Sequence, residues 1–229
     1  MSQQPRTRVD NTRLSDYRRV HEVLASPTPA TWVCTGASTT QGALHTGVHK
    51  GYVQHFEERV RWELGRLTDF VVNTGVSGQG VDEILDDFGH RVARFEPAVV
   101  TALVGSNESV RGPLGQGWHR CNLARLVDEV RALGAVPVLL TPCPIDRAAD
   151  EAHRDLPPYA RISRDVAAAK DVILVDLETE WRSWGAAVTA DWRNDAIHAN
   201  ARGHLMIARK LFADLGILDP GSQTGILEV

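Results

Sequence analysis

The 229-residue sequence predicts an α/β protein built on a five-stranded parallel sheet with helices over both faces. Three observations carry that expectation. Short, nearly continuous apolar runs at 32–34, 70–72, 98–104, 136–141 and 172–175 read as strands buried on both sides. Between them lie longer segments with apolar residues at three- and four-residue spacing, the pattern of helices with one buried face. Each apolar run stops abruptly at Gly, Pro, Asn or Ser, with no internal repeat or low-complexity linker in the series.

In chain order, residues 1 to about 10 are polar and read as disordered, and segment 11–25 spaces Leu14, Tyr17, Val20 and Leu24 for one helical face. Trp32-Val33-Cys34 forms the first strand, broken by Thr35-Gly36-Ala37-Ser38. After a loop holding Gly42, Leu44, His45 and Gly47, an amphipathic helix sets Tyr52, Phe56, Val60, Leu64 and Leu67 on one side. The second strand, expected to be buried, ends at Asn73-Thr74-Gly75-Val76-Ser77-Gly78. A helix with Ile84, Leu85, Phe88, Val92 and Phe95 leads to the third strand, which ends at Gly105-Ser106-Asn107-Glu108.

A glycine-rich loop (Gly112, Gly115, Gly117) then precedes a helix marked by Leu123, Leu126, Val127, Val130 and Leu133. Pro142-Cys143-Pro144 stops the fourth strand, and a polar segment over 145–158 precedes a helix over 159–169. After the fifth strand, Trp181 and Trp184 read as packing residues of a short helix. Loop 191–198 opens the last helix, with Asn200 as its cap and Gly216 as its stop. The expected organisation is a tail and leading helix over 1–30, one domain over 31–216 and a C-terminal tail over 217–229.

Composition excludes several classes of function. With net charge −4 and scattered arginines there is no footprint for nucleic acid. No apolar run approaches the ~20 residues that span a bilayer. The polar start of the chain lacks the apolar core of a signal peptide, and Cys34, Cys121 and Cys143 are odd in number without metal-site spacing. Both point to a cytoplasmic protein with reduced thiols. Neither a P-loop nor Gly-x-Gly-x-x-Gly occurs.

Ligands of open parallel sheets bind beyond the carboxyl ends of the strands, where strand order reverses. With the common order 2-1-3-4-5, the Ser38 loop lies between the loops that carry Gly78 and Asn107. A serine just past a strand, among small residues, has its hydroxyl uncovered as a nucleophile requires, although loop or cap chemistry uses the same residues. A glycine N–H and an asparagine amide suit a developing oxyanion, although Gly78 also suits a positive-φ turn and Asn107 a helix cap. Asp195 and His198, three apart, let a carboxylate reach the imidazole of its own turn and fix its tautomer, although a surface pair has the same spacing. His204 is a rival base, placed within the last helix and without a carboxylate at that spacing.

Taken in order, these residues resemble the SGNH (GDSL-type) hydrolase family over about residues 31–215. On that resemblance Ser38 falls on the nucleophile, Gly78 and Asn107 on the oxyanion hole beside the N–H of Ser38, and Asp195 and His198 on the rest of the triad. The resemblance implies a flavodoxin-like three-layer α/β/α sandwich. Two positions depart from the family pattern: Ala37 stands where Gly-Asp-Ser has its acid, and Glu108 where Gly-x-Asn-Asp has its second acid. Both bear on loop geometry more than on the identity of the nucleophile.

The expected function is a serine esterase or deacylase needing no metal or organic cofactor. The alternatives are an acyltransferase with the same acyl-enzyme chemistry and a binding module that keeps the fold. Candidate pocket walls are segments 39–49, 109–119 and 142–159. Their mix of Leu44, His45, Arg111, Trp118, Arg147 and Tyr159 suits a short acyl group such as acetyl on a polar small molecule or carbohydrate. Leu44, His45, Arg111 and Trp118 are the candidate substrate contacts. No pattern in the chain specifies an oligomeric state.

Overall fold

Successive side chains of a strand point to opposite faces, so Trp32 and Cys34 enter one core while Val33 between them enters another. That division runs through the computed structural model, which describes residues 12–42, 44–146 and 150–229. Five strands, β1 (Thr31–Gly36), β2 (Phe70–Asn73), β3 (Val99–Leu103), β4 (Val136–Leu140) and β5 (Ile173–Val175), form one sheet in the order β2-β1-β3-β4-β5. Every pairing is parallel.

On one face, Trp32, Cys34 and Leu140 pack against Val20 of helix Thr12–Ala25, Tyr52 and Phe56 of Tyr52–Glu58, and Leu211 and Phe212 of Ala201–Asp214. On the other, Val33, Val100 and Leu139 pack against Ile84 of Val81–Asp86, Leu123 and Val127 of Gly112–Ala132, and Val166 of Leu156–Lys170. The result is the expected three-layer α/β/α sandwich, with the strand order reversing at β1. The expected start of the first helix at Asn11, the N-terminal ten residues, the side chain of Leu14 and Arg147 lie outside the described residues.

Several expectations are corrected. Phe70-Val71-Val72 is not a buried strand: β2 pairs only with β1, and as an edge strand it leaves Phe70 63% exposed. The helix starting at Tyr52 does not bury Leu64 and Leu67. After Glu58 it widens into a π turn, Arg59–Glu63, whose extra residue carries later positions around the axis, and Gly65 (φ 73°) ends it. The helix expected through 84–95 is broken into Val81–Asp86, Phe88–Arg91 and a 3-10 turn, Ala93–Phe95. Asp86 and Asp87 stand where the negative end of a helix dipole disfavours acids, and the chain bends there.

The glycines at 112–117 are not a loop but the opening turns of helix Gly112–Ala132, with Pro113 in its first turn. At Gly115 a Cβ would come within 2.4 Å of the Tyr159 hydroxyl, so the missing side chain lets helices Gly112–Ala132 and Leu156–Lys170 close together. The second of these begins earlier than expected, at Leu156, taking Pro157 and Pro158 into its first turn. At the last helix, Asn200 Oδ1 accepts from the N–H of Gly203 at 3.0 Å and Gly216 (φ 69°) lies just past the end, as expected. Trp181 is buried edge-on to Trp192, while Trp184 also reaches Trp192 but is half exposed. Cys34 and Cys143 are buried, Cys121 is exposed, and all three are free thiols. Among the described residues no helix is long and apolar enough to cross a membrane.

Candidate active site

β1 ends at Gly36, in a conformation (φ 153°) that a side chain resists. A Cβ there would lie 2.5 Å from the carbonyl of Leu103 and 2.3 Å from Thr40 Oγ1. Glycine thus lets the chain leave the sheet beside β3 and begin a single helical turn, Ser38–Gln41, closed by Gly42 (φ 71°), whose N–H donates to the Ser38 carbonyl at 2.8 Å. Ser38 heads that turn at the carboxyl edge of the sheet, and Ala37 is buried beneath it.

From the opposite end of the chain comes loop 191–198. His198 Nε2 lies 3.0 Å from Ser38 Oγ and His198 Nδ1 lies 2.8 Å from Asp195 Oδ2. Asp195 Oδ1 accepts from the N–H groups of Ile197 and His198, each at 2.8 Å. Partial burial alone would raise the Asp195 carboxyl, but the two backbone N–H groups and the adjoining imidazole outweigh it and hold the group down at about 2. An ionised carboxylate only accepts, so Nδ1 of neutral His198 carries the proton and Nε2 is the acceptor facing the serine hydroxyl.

His45 stacks on His198 with ring centroids 3.6 Å apart. Burial, and next the charge of His198, push its pKa down, with Asp195 opposing. His204, the rival base, is buried elsewhere and uses Nδ1 to accept from the Tyr52 N–H at 3.1 Å.

Two further loops face Ser38. Gly78 (φ 79°) turns its loop with open space where a Cβ would stand. Gln41 Oε1 ties this loop to the Ser38 turn by accepting from Ser77 N–H at 2.8 Å and Ser77 Oγ at 2.6 Å. Asn107 Nδ2 donates to the Gln79 carbonyl at 2.7 Å. That uses one of its two N–H donors and sets the orientation of the amide.

Glu108 is almost wholly buried just behind, accepting from Val81 N–H at 2.8 Å and Gly105 N–H at 2.9 Å, with His119 Nδ1 at 3.4 Å. Burial alone would raise this carboxyl, yet contact with His119 and the Val81 N–H leaves it below the ordinary value. Glu108 therefore braces the Asn107 loop against the segment that follows Gly78. Thr74 and Gly36, at the ends of β2 and β1, are joined in turn by the buried Arg91, whose Nη2 donates to both carbonyls, at 2.8 and 3.0 Å.

A cavity of about 290 Å³ opens where these groups meet, with Ser38, Gly78, Asn107 and His198 in its wall. Of the candidate substrate contacts, His45 lines it; Leu44, Arg111 and Trp118 do not. Leu44 is exposed at φ 67°, and the Arg111 guanidinium lies 4.2 Å over the Trp118 ring and 3.1 Å from Asp82. Tyr159 is buried, donating to the Gly112 carbonyl at 2.9 Å. Ser106, Ile197 and His153 line the cavity without having been singled out from the sequence. For His153 a signal existed: Asp150 and His153 repeat the three-residue spacing of Asp195 and His198.

Ligand atoms of His45, Asp195 and His198 come within 4.8 Å of one another. The two imidazole planes, however, are 5° from parallel with ring centroids 3.6 Å apart, so their in-plane lone pairs run side by side and do not converge on one ion. A larger hollow of about 640 Å³ lies elsewhere, between Lys50, His55, Trp62 and Thr224, and contains none of the groups around Ser38.

The doubly covered parallel sheet and the hydroxyl–imidazole–carboxylate contacts at its carboxyl edge are those of a serine hydrolase. More narrowly, the chain belongs to the GDSL-like lipase/acylhydrolase family, whose model matches residues 34–206. An acetylxylan esterase of Geobacillus stearothermophilus is 27% identical over 190 residues, covering 76% of this chain and 83% of that protein. A crystal structure of an acetylxylan esterase from the same organism superposes with a TM-score of 0.67 at 20% identity, over 85% of this chain and 96% of the other. An α/β hydrolase enzyme from the metagenome of Lake Arreo, Spain, gives 0.71 at 24% identity, over 83% and 96%. At these identities the two structures bear on the fold alone.

Proposed function

We propose that this GDSL-type hydrolase is an esterase that removes a short acyl group, acetyl foremost, from a hydroxyl of a carbohydrate or similar polar molecule. In this reading Ser38 Oγ attacks the acyl carbonyl as His198 Nε2 takes its proton. Asp195 keeps the imidazole in the required tautomer and stabilises its cationic form. The N–H groups of Ser38 and Gly78 and the Asn107 amide stabilise the oxyanion. His198 then returns the proton to the departing alcohol oxygen, and water activated by the same imidazole releases the acid from the acyl-serine.

The observation that carries this reading is the 3.0 Å approach of His198 Nε2 to Ser38 Oγ, backed at 2.8 Å by Asp195 and opening on a cavity that Gly78 and Asn107 also line. The small cavity supports a short acyl group, and the acetylxylan esterase relative supports a carbohydrate carrier. Acetate release from an acetylated monosaccharide, compared with butyryl and octanoyl esters, tests it. Rates should fall with acyl length and vanish in Ser38→Ala. A preference for long chains, or activity surviving Ser38→Ala, contradicts it. Product analysis with an added alcohol separates transfer to water from transfer to another acceptor.

A further inference from the structure

The chain holds a second Asp-x-x-His turn, built like the first. Asp150 Oδ1 accepts from the His153 N–H at 3.2 Å and Asp150 Oδ2 lies 2.9 Å from His153 Nδ1. The same carboxylate-to-own-turn contacts join Asp195 to His198. Both side chains are largely buried, 14% and 13% exposed, and His153 lines the cavity that holds Ser38. Burial alone would raise the Asp150 carboxyl, but the backbone and imidazole N–H groups of His153 pull it below the ordinary value. An ionised Asp150 leaves the Nδ1 proton on neutral His153 and turns Nε2 into an acceptor.

Position decides what that acceptor meets. The N–H of Asp146 donates to the carbonyl of Ala196 at 2.8 Å, and the N–H of Asp150 to the carbonyl of Asp146 at 3.0 Å. The turn carrying His153 thus hangs from the loop that carries His198, and both histidines line the cavity that holds Ser38. His198 must protonate the departing alcohol oxygen, so in the mechanism proposed above the alcohol part of the ester lies beside the loop from which this turn hangs and the acyl oxygen faces Asn107.

Resting on that reading, we infer that His153, oriented by Asp150, is a substrate-binding residue for the alcohol part, accepting a hydrogen bond from a free hydroxyl beside the esterified one. The ligand chemistry is a partly acylated polyol or sugar with an unmodified neighbouring hydroxyl. A site built around a hydrogen-bonding group discriminates strongly against substrates that lack the partner, because its own polar group is then left unpaired.

The test compares two acetyl esters, a monoacetylated sugar with a free vicinal hydroxyl and phenyl acetate, which has none. In His153→Leu, kcat/KM on the sugar ester should fall roughly tenfold or more while phenyl acetate stays within about twofold. His153→Gln, whose amide oxygen can accept the same hydrogen bond, should recover part of the loss. Asp150→Ala, which frees the imidazole, should raise KM for the sugar ester alone. An unchanged ratio of the two substrates in His153→Leu overturns the inference, as does equal loss on both, the mark of a merely structural residue. Failure of the wild type to hydrolyse the sugar ester while it hydrolyses phenyl acetate also overturns it. Inactivity of the wild type on both esters would instead remove the esterase reading beneath it.

Discussion

His45 lies flat on His198, with ring centroids 3.6 Å apart and planes within 5° of parallel. The stack covers the face of the imidazole whose edge is 3.0 Å from Ser38 Oγ. It constrains ring rotation without using either nitrogen of His198. His45→Phe keeps a flat ring in place and should retain most of kcat, whereas His45→Ala frees the imidazole and should lower kcat roughly tenfold, since small misplacements of a reacting group are costly.

Glu108 replaces the family's shorter acid but reaches two backbone N–H groups on separate loops. Glu108→Ala should destabilise the fold by about 3 kcal/mol, because burying an unpaired N–H costs on the order of 1–3 kcal/mol and two are left. It should also lower kcat by loosening the Asn107 loop. Urea denaturation and steady-state kinetics on the same preparations check both effects.

Asn107 and Gly78 line the same cavity as Ser38 and are the proposed oxyanion donors. Asn107→Ala removes one of the proposed oxyanion donors and should reduce kcat on the order of 100-fold with KM little changed. Gly78→Pro removes the backbone N–H as well as the glycine conformation and should do at least as much. Steady-state kinetics on phenyl acetate reads both variants. Unchanged kcat in the two would remove these residues from the mechanism.

Stability should depend on pH through two buried histidines, His55 and His204. Burial and then the Lys50 charge push His55 down to about 4; burial and then the neighbouring His55 push His204 to about 3. Their folded values lie below the unfolded value of 6.5, so the unfolded chain takes up protons that the folded chain does not. Their full contribution is present above pH 6.5 and is lost as pH falls toward the folded values, by about 1.4 kcal/mol per pH unit for each residue. Neither ring nitrogen of His55 has a hydrogen-bond partner among the described residues. His55→Phe should therefore keep the stability at pH 7.5 and flatten the slope between pH 6 and 5, measured by denaturant unfolding.

The strands were legible because burial on both faces demands continuous apolar runs, as in Val99–Leu103 and Val136–Leu140, whereas their order rested on the common arrangement of such sheets, which the structure has. Phe70-Val71-Val72 has the same pattern on an edge strand, since apolar content alone does not say how many neighbours a strand has. The glycines near 112–117 look like a loop by propensity, and only the approach of Tyr159 to Gly115 explains why they are helical. At the site, Ser38, Gly78, Asn107, Asp195 and His198 stood out because each follows a strand or carries a local spacing; the structure brings Ser38, Gly78, Asn107 and His198 to one cavity, with Asp195 2.8 Å from His198 Nδ1. Arg91 and Glu108 act by bracing loops far apart in sequence, which no local pattern reveals. The spacing of His153 to Asp150 was a signal left unread, and its place in the cavity that holds Ser38 follows from a fold that ties its turn to the His198 loop through the Asp146–Ala196 hydrogen bond.

In the proposed mechanism Ser38, with Ala37 before it and Glu108 behind the Asn107 loop, is an activated nucleophile. Mass spectrometry after treatment with a fluorophosphonate reads this directly. One phosphonyl adduct should form, mapped to the peptide containing Ser38, absent in Ser38→Ala and strongly slowed in His198→Ala. No adduct on folded wild-type protein, or an adduct on another residue, would contradict it.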